Sequence, residues 1–141
     1  VTPLQLLRAI AAIANGGQLL TPTVAATDSD RPPVVELIKG ISPESFKVVR
    51  EGMRLGVTEG TAKGLDTRAV ALAATTGTAE LGAAKQYVNS WVTGFFPYEQ
   101  PRYAFVVLME RGDRTNLIGA TYVMRQVIDW LAATAPEYFS N

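Results

Sequence analysis

The sequence predicts an α+β fold, an antiparallel sheet with about three strands from this chain, packed with helices. Three observations carry it. Thr2-Pro3 and Ser42-Pro43 are each a capping residue followed by a proline, the signature of a helix start. Tyr87 to Phe96 and Tyr103 to Glu110 are rich in aromatic and β-branched residues and are joined by the short turn Pro97-Tyr98-Glu99-Gln100-Pro101, which reads as an antiparallel hairpin. Gly119 to Ala133 then closes the chain with helical periodicity. Helices before and after a run of strands imply a layered sheet with a helical cover. A length of 141 residues suits one domain spanning 1–141.

In the first helix Thr2 caps, Pro3 takes the first position and Gln5 completes a capping box. Leu7, Ile10, Ala11 and Ala14 follow at helical spacing, and Asn15-Gly16-Gly17 ends the run, because glycine adopts the left-handed C-cap conformation cheaply. Leu19 to Ala25 reads as extended, Asp28 to Pro33 as a polar loop, and Val34 to Ile38 as a short strand. In the second helix Glu44 favours the positive end of the dipole, and Phe46, Val49 and Met53 form the predicted buried stripe. Gly56 and Gly60 frame its end, and Glu59 to Gly64 reads as a loop. Val70 to Thr78 is an extended segment of mostly small residues, and Arg111 to Asn116 is a polar loop. The last helix buries Val123, Val127, Ile128 and Leu131.

Composition excludes several chemistries. Thirteen basic residues against thirteen acidic ones leave no net charge, which argues against nucleic acid or an anionic membrane surface as the main partner. With no cysteine and no histidine, disulfides, thiolate chemistry, Ser-His-Asp and Cys-His sites and the usual zinc sites are all excluded. A Ser-Lys scheme needs Ser-x-x-Lys on a helix, and no serine here has lysine three residues later. The apolar stretch Leu4 to Ala14 contains Gln5 and Arg8 and is too short to span a bilayer. The chain opens directly on a helix signal, as a segment cut from a longer protein does.

Four segments, in order, resemble consecutive parts of the penicillin-binding transpeptidase domain. They are Val1-Thr2-Pro3-Leu4-Gln5 with Ala12-Ile13-Ala14-Asn15-Gly16-Gly17; Ser42-Pro43-Glu44 through Met53 with Thr58-Glu59-Gly60-Thr61-Ala62; Thr76-Gly77-Thr78-Ala79-Glu80; and Ser90-Trp91-Val92-Thr93-Gly94-Phe95-Phe96-Pro97-Tyr98. The resemblance covers nearly the whole chain and is to the C-terminal part of that domain, in the β-lactamase/transpeptidase-like fold. It implies serine acyl transfer between peptidoglycan stem peptides, binding of β-lactams, no cofactor, and an extracytoplasmic, membrane-anchored parent. The nucleophilic Ser-x-x-Lys and the Ser-x-Asn motifs of such domains do not occur here. The upstream part of the same domain is therefore an expected partner, the fragment is expected to be inactive alone, and homo-oligomers through exposed surface are expected.

Carried over by position, the Thr78 N–H is an oxyanion donor, and Thr75, Thr76, Gly77 and Thr78 form the substrate-binding strand. The hydroxyls of Thr76 and Thr78 meet the carboxylate of a peptide or β-lactam, and Gly77 lets the ligand lie against the backbone. Thr75 stands where the family has lysine, so a neutral hydroxyl replaces a cation, with Arg68 and Lys85 the nearest cations in sequence that offer themselves as substitutes. That departure motivates an alternative reading, a non-catalytic module of the same fold that binds cell-wall peptide or a protein partner. Trp91, Phe95 and Phe96 read as packing residues, and Glu59, Asp66 and Glu80 as solvated or paired surface carboxylates. Lys47 and Glu51 read as an exposed pair, and Arg111-Gly112-Asp113 as a chance tripeptide in a loop.

Overall fold

The computed structural model describes residues 1–23, 34–115 and 119–139. Both cap-and-proline signals start helices, α1 at Pro3–Ala14 and α2 at Pro43–Thr58. The capping box is reciprocal: Gln5 N donates to Thr2 Oγ1 at 3.3 Å, and Thr2 N donates to Gln5 Oε1 at 2.8 Å. Gly16 and Gly17 follow α1 with φ of +80° and +106°, and Gly17 N closes the end on Ala12 O at 2.7 Å. Two short strands, β1 (Gln18–Leu20) and β2 (Val35–Leu37), pair antiparallel. The loop expected over 28–33, and Val24 and Ala25 of the extended segment, lie outside the described residues.

The main sheet is antiparallel, in the order β3 (Ala73–Leu81), β4 (Tyr87–Phe96), β5 (Tyr103–Asp113). It is followed by α3 (Ala120–Thr134). Single 3₁₀ turns occupy Lys63–Leu65 and Pro136–Tyr138. The α+β class, with helices on an antiparallel sheet, is as the sequence predicts.

Side chains alternate across the sheet, and each face builds its own core. On one face Leu72, Ala74, Val92, Phe96 and Phe105 pack with Met124 and Ile128 of α3. On the other, Ala73 and Phe95 pack with Ile10 and Ala14 of α1. Helix α2 contributes Val57 to the first cluster and Met53 to the second. A helix that feeds both faces must lie along the edge of the sheet, and this one lies against β3.

Several sequence expectations are corrected. Val49 is exposed, while Val57 is fully buried. The stripe is centred on Arg50, whose guanidinium lies over the rings of Phe95 and Tyr98, and this leaves Val49 on the flank. Val127 is exposed and Met124 takes its place at four-residue spacing from Ala120 and Ile128. β3 runs over 73–81, not 70–78. Before Ala73 there is no strand to pair with, since β4 ends at Phe96, and the carbonyls of Ala71 and Leu72 are taken by Tyr98 N and Arg54. Arg111 to Asp113 belong to β5, which continues past a register shift opposite Val88 and Ser90, with φ +52° at Arg111 and Arg111 N bonded to Asn89 Oδ1. Just beyond, the hydroxyl and then the amide of Thr115 bond to the Asp113 carboxylate and hold its pKa below the usual value. Lys47 pairs with Glu44, not Glu51, at 3.7 Å between exposed side chains, a contact worth little in water.

Gly94 sits opposite Ala74 in the middle of β4. A Cβ there would run into the carbonyl of Ala73 and the Cα and Cβ of Ala74. Gly94→Ala is therefore expected to cost about 1–3 kcal/mol, the usual penalty of overpacking, measured by equilibrium urea unfolding. An unchanged midpoint would show that β3 and β4 can move apart freely.

Candidate functional site: the open edge of strand β3

The candidate site follows from how α2 meets β3. Arg54 Nη1 donates to Leu72 O at 2.9 Å, and a Cβ built on Gly56 would lie 2.6 Å from Ala74 O. The carbonyls of residues 72 and 74 thus face α2, away from β4. In a regular strand both backbone groups of a residue point to the same side, and successive residues alternate. The β3–β4 register is unbroken from Ala73 to Leu81. Thr76 and Thr78 therefore turn their N–H and C=O toward the outer edge, and Thr75 and Gly77 turn theirs into the ladder with β4. Beyond Ala74, no other strand pairs with that edge among the described residues.

The four predicted site residues divide between the two faces. The Thr76 and Thr78 side chains share the face of Ala74 and α3. Thr78 is paired with Ser90, whose Oγ accepts Ala120 N at 3.0 Å. Ser90 thereby supplies the cap that Gly119, the N-cap residue of α3, cannot, and ties the helix to the strand next to the site. Thr75 and Gly77 share the opposite face, paired with Thr93 and Trp91. Thr75, Gly77 and Thr78 are exposed, and Thr76 is half-buried.

Gly77 has a negative φ, and a Cβ built on it would stand 3.7 Å from Trp91 Cβ, ordinary van der Waals contact. Nothing in the fold requires glycine at this position. Of the aromatics expected to pack, Phe95 and Phe96 are buried and Trp91 is half-buried.

A residue the sequence reading did not single out completes the edge. Thr61 Oγ1 lies 2.6 Å from Thr76 Oγ1. Thr61 is held by two glycines of the preceding turn: Gly56 O accepts Ala62 N at 3.0 Å, and Gly60 sits so close over Gly56 that a Cβ would be 2.9 Å from its Cα. The signal was a small Gly-Thr-Ala loop just ahead of the strand, already visible as a family-like segment, but its contact spans fifteen residues of sequence.

The charges at the far end of the strand are paired. Glu80, two residues past Thr78, is bonded by Lys85 Nζ at 2.8 Å and Arg114 Nη1 at 2.9 Å. Glu80 is thus a paired surface carboxylate. Lys85 sits in the β3–β4 turn with φ +51° and is turned to Glu80. Arg68 lies elsewhere, lining with Asp66, Thr67 and Arg125 a shallow cavity of about 520 Å³. Asp66 faces Arg54 at 3.9 Å. No group of three or more metal-ligating residues occurs among the described residues, and no helix there is long and apolar enough to cross a membrane.

This arrangement, a three-stranded antiparallel sheet between helices with a small-residue edge strand left open, is that of the penicillin-binding transpeptidase fold. The family model for the penicillin binding protein transpeptidase domain matches residues 1–129, and the chain belongs to that family. It is 30% identical over 148 residues to penicillin-binding protein H of Bacillus subtilis, covering 89% of this chain and 21% of that protein. Penicillin-binding protein A of M. tuberculosis, solved as a penicillin G acyl-enzyme complex, superposes with a TM-score of 0.71 at 28% identity, over 94% of this chain and 32% of that one. Penicillin-binding protein 2 of Helicobacter pylori, solved in complex with MreC, superposes with a TM-score of 0.76 at 27% identity, over 96% of this chain and 25% of that one. The chain thus spans about a fifth of the length of the B. subtilis relative.

Proposed function

We propose that this chain forms one wall of the cleft of a serine-type D,D-transpeptidase that cross-links peptidoglycan stem peptides. The observation that carries the reading is the open β3 edge, with the backbone of Thr76 and Thr78 turned outward and between them a glycine that internal packing does not need. A peptide or β-lactam would lie along that edge. The Thr78 N–H would stabilise the oxyanion formed when a serine of the upstream part attacks the carbonyl carbon of the penultimate D-alanine. The C–N bond to the terminal D-alanine then breaks, that residue leaves as the amine, and an amine of a neighbouring strand displaces the serine oxygen. The hydroxyls of Thr76 and Thr78 would donate to the ligand carboxylate. The parent acts outside the cytoplasmic membrane and is anchored to it. The exposed apolar residues Tyr122, Val127 and Trp130 on α3 support docking of the upstream part of the same domain, or self-association when it is missing.

Labelled penicillin tests this. The full-length protein should acylate stoichiometrically, whereas the isolated 141-residue chain, which carries neither Ser-x-x-Lys nor Ser-x-Asn, should not label. Covalent labelling of the isolated chain would refute the division of labour proposed here.

Gly77 separates function from fold. Since a methyl group meets only ordinary contact there, Gly77→Ala should leave the urea midpoint unchanged or raise it slightly, because alanine loses less backbone entropy on folding. The same methyl would stand where the ligand approaches, so acylation of the full-length variant should fall at least tenfold. Loss of stability with acylation retained would mean that the glycine serves the fold.

The second reading, a non-catalytic module of the same fold, is favoured by one observation: Thr75 is neutral, and the cations nearest the strand end are held on Glu80. A full-length sequence without the two upstream motifs would decide for it.

A further inference from the structure

Thr61 and Thr76 form a hydroxyl pair 2.6 Å apart at the mouth of the open edge. Each hydroxyl has one proton to give and two lone pairs to receive. Either can donate to the other while the edge is empty. A carboxylate only accepts, so an anionic ligand at Thr76 needs the Thr76 proton, and that frees the Thr76 oxygen to accept from Thr61. One ordering satisfies all three groups: Thr61 donates to Thr76, and Thr76 donates to the carboxylate. Aligned in that way, the first bond polarises the second and strengthens it. Thr61 is well placed for this role because its loop is closed onto α2 by the Ala62 N to Gly56 O bond and is tightened within itself by Lys63 N to Gly60 O at 3.2 Å.

We infer that Thr61 is a positioning residue, which fixes the Thr76 hydroxyl and orients its proton toward an anionic ligand along β3. The inference rests on the cleft reading above for the ligand, and on the hydroxyl pair alone for the contact. Thr61 itself does not touch the ligand in this scheme.

The test uses the full-length protein and benzylpenicillin, which carries the carboxylate, with its methyl ester as a probe that does not. Thr61→Val should lower the second-order acylation rate by benzylpenicillin about 3–10-fold, the size of one neutral hydrogen bond. Thr61→Ser, which keeps the hydroxyl, should restore most of it. Acylation by the methyl ester should be unaffected by either change. In a Thr76→Val background, Thr61→Val should have no further effect. An equal loss with both probes, or a full additional loss without the Thr76 hydroxyl, would overturn the inference.

A ligand-free measurement separates this from the cleft reading. Urea unfolding of the wild type, the two valine single variants and the double variant gives the coupling between the positions. Coupling with an unlabelled wild type supports the Thr61–Thr76 contact and sinks the transpeptidase reading. Strict additivity sinks the Thr61 inference whatever the labelling result.

Discussion

Replacing Thr78 with proline in the full-length protein is expected to lower penicillin acylation about 10²–10³-fold, the effect of removing one oxyanion-hole donor, while the fold survives. Proline removes a backbone N–H and so breaks a sheet wherever that N–H is in the ladder. At position 78 it is not. Ala74 O faces α2, and alternation over the unbroken register carries that outward orientation to residues 76 and 78. Edge strands tolerate proline where the N–H side faces away from the sheet. Gly77 supplies the contrast, because its N–H points into the ladder with β4; Gly77→Pro should lower the urea midpoint sharply. Thr78→Val keeps the amide and loses only the hydroxyl, so it should cost tenfold or less. Rates of acylation and urea midpoints for these three variants separate an oxyanion donor from a strand that merely needs to stay flat. Full acylation by the proline variant would remove Thr78 from the proposed chemistry.

The helix starts were legible because capping is local: Thr2 bonds to Gln5, and Ser42 to Ser45, three residues away. The hairpin strands were legible because Tyr87 to Phe96 carries enough β-branched and aromatic residues to be a strand in almost any setting. What the sequence could not show was neighbourhood. That β3 lies at the edge is a matter of sheet order, and its meeting with α2 brings Gly56 against the Ala74 carbonyl eighteen residues away. Val49 was misplaced for a related reason. Periodicity favours a valine over an arginine on a buried stripe, but Arg50 found two aromatic rings and the carbonyl of Tyr98 to receive it. The end of β5 was missed because Arg111-Gly112-Asp113 is polar, and a bulge carried the pairing through it. For the candidate site, the motif located the strand and its order of residues, whereas the partner of Thr76 became visible only in three dimensions.

Thr75→Lys is the substitution expected to raise activity. In the full-length protein it should increase penicillin acylation about 10–100-fold, the effect of a charge-assisted hydrogen bond worth roughly 1.5–3 kcal/mol. Space is available, since Thr75 is exposed and lies opposite Thr93 on a face where Gly77, two residues on, has no side chain. Two cations beyond the end of the strand are already taken: Lys85 and Arg114 are both bonded to Glu80. Charge and shape can be told apart. Thr75→Gln adds a long polar side chain without charge and should give little of the gain. The lysine effect should shrink as salt rises, because an exposed charge is screened over about 10 Å at 0.1 M. Glu80→Gln tests the same idea from the other side, by releasing two cations near the end of the strand, and should raise acylation modestly at low salt. If Thr75→Lys left the rate where it was, positive charge at this position would not be what the cleft lacks. The neutral strand would then be sufficient for ligand binding through the outward amides and the hydroxyls of Thr76 and Thr78.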